Sequence, residues 1–156
     1  MFRILSYEVS NKKVDEKYIK ENDQIFEYTP LIKAILKNDI TLVKHLLVNG
    51  ADVNEPDEYG TTPLMYSLIY PVSKQILITI LRYKPNLYLK NLDNTTAFFI
   101  MFGESTYNYE FMKILLKHFQ IRGLKPLGIE IHYAKKIILK KCPEFLKLFK
   151  SHKLIL

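Results

Sequence analysis

Residues Thr29 to Gly60 read TPLIKAILKNDITLVKHLLVNGADVNEPDEYG. The stretch opens on a helix-start signal. The Thr29 hydroxyl can accept a backbone N–H, and Pro30 suits a first helical position, where a missing donor costs nothing. Leu31, Ala34 and Ile35 then fall at helical spacing and predict one short amphipathic helix. Lys37-Asn38-Asp39 is a polar break. Leu42, Val43, Leu46 and Leu47 predict a second helix with a wide apolar stripe. Asn49-Gly50 ends it, with Gly50 placed for a left-handed cap. Ala51 to Asn54 leads away from the helix, and Asp57-Glu58-Tyr59-Gly60 predicts a turn.

This unit recurs. Thr29-Pro30-Leu31 returns as Thr62-Pro63-Leu64 after 33 residues, and in weaker form as Thr96-Ala97-Phe98 after 34 more. The second apolar block, Leu42 to Leu47, returns as Ile76 to Leu81 and Phe111 to Leu116 at spacings of 34 and 35, and Phe145 to Phe149 lies 34 further on. Two independent markers keep one period. A pair of such short helices cannot cover both of its apolar faces, whereas stacked pairs can. The prediction is an all-α solenoid of about four stacked helix-turn-helix units.

The stretch Thr29 to Gly60 closely resembles an ankyrin repeat. It departs at Ile32, where the family usually has His, and at Asn38, where it usually has Gly. Loss of that His removes an inter-repeat hydrogen bond common in the family, which apolar packing would replace. The second repeat keeps Asp57, Gly60 and Thr62-Pro63-Leu64, with Met65 at the His position and Pro71 near the inter-helix turn. Lys84 to Tyr88 replaces the usual Gly-Ala-Asp-Val-Asn. In the third, Asn94 takes a Gly position, Phe98, Phe99 and Phe102 replace smaller residues as core or groove wall, and Gly103 to Asn108 suggests a lengthened loop. The expected organisation is a capping segment at 1–24 and an ankyrin-repeat domain at 25–152. Its repeats run at about 25–56, 57–90, 91–121 and 124–152, the last a Lys-rich cap.

Composition allows a packed core: 48% of residues are hydrophobic and 25% charged, and 5 Gly and 7 Pro are too few for a linker. The single cysteine, Cys142, cannot form an intramolecular disulfide and favours a reducing compartment. Glu8 interrupts the N-terminus early, so no secretory signal is read there, and no apolar run approaches the roughly 18 residues of a membrane span. The expected location is cytoplasmic, including the cytoplasm of a host cell. The formal charge of +7 is uneven: residues 1–60 carry 8 Lys/Arg against 11 Asp/Glu, and residues 61–156 carry 15 against 5. A basic end attracts acidic proteins, nucleic acid or anionic lipid, and also keeps a solenoid soluble.

No catalytic constellation, phosphate loop or metal-ligand spacing emerges, so the chain is expected to have no activity and to need no cofactor or metal. His45, His118 and His152 fall on second helices as surface or satisfied residues, and His132 is the one histidine near Cys142 in sequence. In ankyrin proteins, partners meet the connector tips and the exposed side of the first helices. Carried onto matching positions, the resemblance implies contact at Leu36 and Lys37 in the first repeat. In the second it implies Glu58, Tyr59, Thr61, Ile69 and Tyr70, and in the third Leu92, Asp93, Thr95, Gly103 and Glu104.

The expected partner is a protein, met on the concave face of the repeats. Such short chains resemble ankyrin proteins of poxviruses, intracellular bacteria and protists, which often act on host proteins. Two other readings stand behind this one. Pro126 to Ile131 faintly resembles the opening of an F-box-like ubiquitin-ligase adaptor, although Lys135 breaks the match. The basic C-terminal end could bind nucleic acid or an acidic partner. The sequence names no partner and fixes no oligomeric state.

Overall fold

A computed structural model of the chain describes residues 28–102, 108–141 and 143–154. The segment expected to cap the first repeat, the loop residues Gly103 and Glu104, and Cys142 lie outside the described residues. Eight helices are described, in four pairs: α1 (Pro30–Leu36) with α2 (Ile40–Val48), α3 (Pro63–Ile69) with α4 (Lys74–Arg82), α5 (Ala97–Ile100) with α6 (Tyr109–Ile121), and α7 (Gly128–Lys141) with α8 (Phe145–Ser151). The first helices form one row, α1 on α3, α3 on α5 and α5 on α7. In a second row α2 packs on α4 and α4 on α6. Over the described residues the chain is an all-α solenoid of four stacked helix pairs.

Each start signal acts as its chemistry requires. The hydroxyls of Thr29, Thr62 and Thr96 accept the N–H groups of Ile32, Met65 and Phe99, which would otherwise lack partners at the helix starts. Asp39 caps α2 through Leu42 N–H at 2.9 Å. Pro71 sterically bars the helical conformation from the residue before it, and Tyr70 is accordingly extended at φ −93°, ψ 154°.

The period also fixes where the backbone must turn left-handed. Each second helix is followed by such a residue: Gly50, Lys84, Gly123 and Lys153. Asn38 after α1 and Asn94 in the third connector adopt it as well, at φ 53° and 59°. Asn tolerates this conformation better than most residues, whereas a lysine Cβ crowds the following carbonyl.

Burial follows the number of neighbours. On α4, between α2 and α6, Ile76, Leu77, Ile80 and Leu81 are all buried. On α2 the expected wide stripe is narrower. Val43 and Leu47 are buried, Leu46 is half-buried and Leu42 is 38% exposed. Among the described residues, α2 has an outer-row neighbour on one side only. Further along, α5 is four residues long and aromatic bulk fills the space around it. Phe98 lies 5.5 Å from Phe102, 6.1 Å from Phe119 and 6.0 Å from Phe149, ring centre to ring centre. Phe98 and Phe102 are thus core, whereas Phe99 is half-buried against Tyr133.

Hydrogen bonds one period apart lock the register. Asn38 Oδ1 accepts Ser73 N–H at 2.8 Å, and Asn54 Oδ1 accepts Asn86 N–H at 2.7 Å. Arg122 donates to the Pro85 carbonyl at 2.6 Å, and Tyr88 O–H to the Lys125 carbonyl at 2.8 Å. The His missing from the family pattern has two kinds of replacement. Ile32 packs fully buried in the core. Glu130, which occupies the third position of α7 as Ile32 does of α1, is buried and accepts the Thr96 hydroxyl of the preceding pair. Each such bond contributes about 1 kcal/mol net. The exposed Lys74–Glu110 pair at 3.4 Å adds little.

His118 departs from the expectation of a satisfied histidine. Its Nε2 is buried with no hydrogen-bond partner among the described residues. Burial, and then the Arg122 charge, hold its pKa below the ordinary histidine value.

Two outcomes follow. Lys84→Gly removes the left-handed penalty and should stabilise the fold by about 0.5–1 kcal/mol in urea unfolding. Because His118 holds its proton less tightly when folded, its contribution is complete above about pH 6.5, the unfolded value, and declines as pH falls below it. Unfolding free energy measured from pH 7.5 down to pH 5 should therefore fall more for the wild type than for His118→Phe.

Candidate functional site

The two described connector tips are built alike. In the second repeat Asp57 is buried, and its Oδ1 accepts the N–H groups of Tyr59 at 3.0 Å and Thr61 at 2.7 Å. Asp57 N–H donates to the Thr61 carbonyl, and Gly60 N–H to the Asp57 carbonyl. In the third repeat Asn91 repeats the pattern. Its Oδ1 accepts Thr95 N–H at 2.9 Å, its N–H meets the Thr95 carbonyl, and its own carbonyl accepts Asn94 N–H. A carboxylate or amide aimed back at its own chain closes the turn in both cases.

The tips touch each other. Leu92 N–H donates to the Tyr59 carbonyl at 2.8 Å. A Cβ at Gly60 would stand 3.1 Å from Asn91 Cα, so the close approach of the two backbones requires glycine there. These bonds leave two large side chains outward: Tyr59 is 41% exposed and Leu92 76%. Glu58 and Asp93 are exposed beside them, and Thr95 is half-buried. Thr61 does not share that surface. It is only 9% exposed, because the Asp57 bonds draw it into the base of the tip.

The first helices supply the other part of the surface. Lys37 is exposed at the end of α1 and Leu36 is half-buried. Ile69 and Tyr70, at the end of α3, pack partly against the core. Tyr70 stacks on Tyr66 with ring centres 5.6 Å apart, and Tyr28 meets Tyr66 edge-on at 5.7 Å. The Tyr66 hydroxyl donates to Asp57 Oδ2 at 2.7 Å, which ties the helix to the tip. Burial, and then this bond, hold the Tyr66 hydroxyl far above the ordinary tyrosine pKa.

Tyr66 and Tyr28 were not singled out from the sequence. A signal for Tyr66 was present: it lies four residues after Thr62 and four before Tyr70, on one face of one helix. Lys33 and Lys37 hold the same places after Thr29 and are exposed. The surface thus joins aromatic and apolar groups at the second and third repeats to a basic edge at the first. Among the described residues no three His, Cys, Asp or Glu side chains gather as metal ligands would.

Tyr66→Phe keeps the ring stack but removes a donor from the buried Asp57 carboxylate. It should cost about 1.5–3 kcal/mol in urea unfolding, the range for a hydrogen bond to a charged group.

Comparisons with known proteins agree with this geometry. The family description for ankyrin repeats (many copies) matches residues 21–66. An ankyrin repeat protein of fowlpox virus (strain NVSL) is 32% identical over 92 residues, which cover 58% of this chain and 27% of that protein. The chain therefore spans about a quarter of the length of that relative. Among solved structures, it is similar to a chain from the complex of a predatory endopeptidase of Bdellovibrio bacteriovorus with an immunity protein. The TM-score is 0.53 at 25% identity, over 74% of this chain and 65% of that one. Ankyrin repeats are protein-interaction modules, and no helix among the described residues is long and apolar enough to cross a membrane. The recurring threonine caps, the two rows of paired helices and the family description matched at residues 21–66 together show that this chain carries ankyrin repeats.

Proposed function

We propose that this chain is a non-catalytic protein-binding module. Its partner is held where the connector tips meet the exposed ends of the first helices. One observation carries the reading: Tyr59 and Leu92 stand exposed on neighbouring tips that a backbone hydrogen bond of 2.8 Å fixes together. Large apolar groups held rigidly side by side lose little conformational freedom on binding, and such groups dominate interface energies. Glu58, Asp93 and Lys37 form a charged rim, Ile69, Tyr70 and Leu36 a half-buried floor, and Thr61 and Thr95 support the tips.

The repeat limits and the cap at 1–24 read from the sequence are part of the same proposal. So are a location in the cytoplasm and a partner of host origin, in line with the fowlpox virus relative. The structural relative comes from a complex between two proteins, which agrees with a protein partner.

Affinity capture from cell lysate at about 0.15 M and about 0.5 M salt tests this, since exposed charge pairs are screened at the higher value. A protein retained at both salts and lost with Tyr59→Ala/Leu92→Ala supports the tip surface. Capture indifferent to that variant, or only of nucleic acid released by salt, rejects it.

A further inference from the structure

The outer row of helices does not close evenly. α2 packs on α4 and α4 on α6, but between α6 and α8 lies an open groove of about 430 Å³. Its walls include Tyr109, Lys113 and Lys117 from α6, and Lys147 and Leu148 from α8, with His152 at the end. Lys113 and Lys117 are one helical turn apart and share a face. All three lysines are exposed, and none forms an ion pair among the described residues, where Lys74–Glu110 is the one such pair. Among the described residues no carboxylate lines the groove. The floor is apolar: Leu148 is buried, and the Tyr109 ring leans on Phe145 with centres 5.7 Å apart.

We propose that this groove is a second docking site, separate from the tips, and that it takes an acidic peptide carrying an apolar side chain between its carboxylates. Three lysines that have no acidic partner among the described residues supply the charge complement. Their aliphatic stems and the partly exposed Tyr109 ring supply apolar surface that a bare phosphate would leave uncovered. A groove of this size holds a few residues, within the range of roughly 300–1,000 Å³ for ligand sites. A nucleic-acid strand fits the arrangement less well. Sequence-tolerant strand binding needs a succession of stacking rings along a basic track. Here the described lining holds only two rings, Tyr109, partly occupied by Phe145, and His152 at the end of the groove, which make no such succession. Lysines are also compact point charges suited to carboxylates in varied geometries, in contrast to the fixed fork of arginine.

The test is fluorescence anisotropy on the full chain with a labelled synthetic peptide of glutamates interrupted by leucines. The expected result is saturable binding that weakens at least about tenfold in Lys113→Glu/Lys117→Glu and in Lys147→Glu, as for interfacial charge reversal. Lys33→Glu/Lys37→Glu on α1 should leave it unchanged, as should Tyr59→Ala/Leu92→Ala. That last control separates failure here from failure of the tip surface. A peptide with serine in place of leucine should bind more weakly. Three results would overturn the proposal: peptide binding indifferent to the α6 and α8 reversals, equal loss with the α1 pair, or equal affinity for the leucine and serine peptides. A fourth is a labelled thymidine strand binding through the same lysines where the leucine peptide does not.

Discussion

A helix of seven residues has too few internal hydrogen bonds to persist alone in water, where about 12–15 residues is already marginal. α1 and α3 are seven residues long and α5 only four. None can exist except as part of the stack, so everything else in the molecule depends on apolar faces being covered by the next pair. Ile32, Leu64 and Phe98 are almost wholly buried for this reason, and the threonine caps only tidy the ends of helices that packing creates. The hydrogen bonds between pairs set the register of a stack whose stability comes mainly from burial.

Much of this was legible in the sequence, because the decisive signals are local chemistry repeated at a fixed interval. Thr-Pro at 29–30 and 62–63, Pro71 after an extended Tyr70, and Gly50 in a left-handed turn can each be read from their own neighbours. The period then extended the reading to places where the residue type had changed, such as Asn94 for Gly and Met65 at a His position. What local chemistry did not give is how many neighbours an element has. Leu42 fits an apolar stripe but is partly exposed, since α2 has one outer-row neighbour among the described residues. The groove between α6 and α8 was hidden for the same reason, as it depends on the spacing of helices far apart in the chain.

The candidate site divides along the same line. Glu58 and Tyr59 lie in the turn that Asp57 to Gly60 predicts, whereas Leu92 and Asp93 follow only from the ankyrin resemblance. Thr61 looked equivalent, yet the Asp57 carboxylate takes its N–H and folds it under. Tyr66 was overlooked because it reads as an interior helix residue. It is the link between the tip and the helix face, through Asp57 on one side and Tyr70 on the other. The basic end, read from charge alone, resolves into a particular place where lysines flank an apolar floor.

The bonds between units have a consequence for how such a chain can change in length. Asn38 to Ser73, Asn54 to Asn86 and Thr96 to Glu130 each join groups about one period apart, and among the described residues the helix rows pack mainly on their immediate neighbours. No bond of this set reaches across two periods. A block of one period could therefore be duplicated or lost in an evolving lineage with every remaining junction still finding a partner of its own kind, because the stack has ends but no unique centre. Growth by copying is open to such a molecule in a way it is not to a fold whose first and last strands must meet.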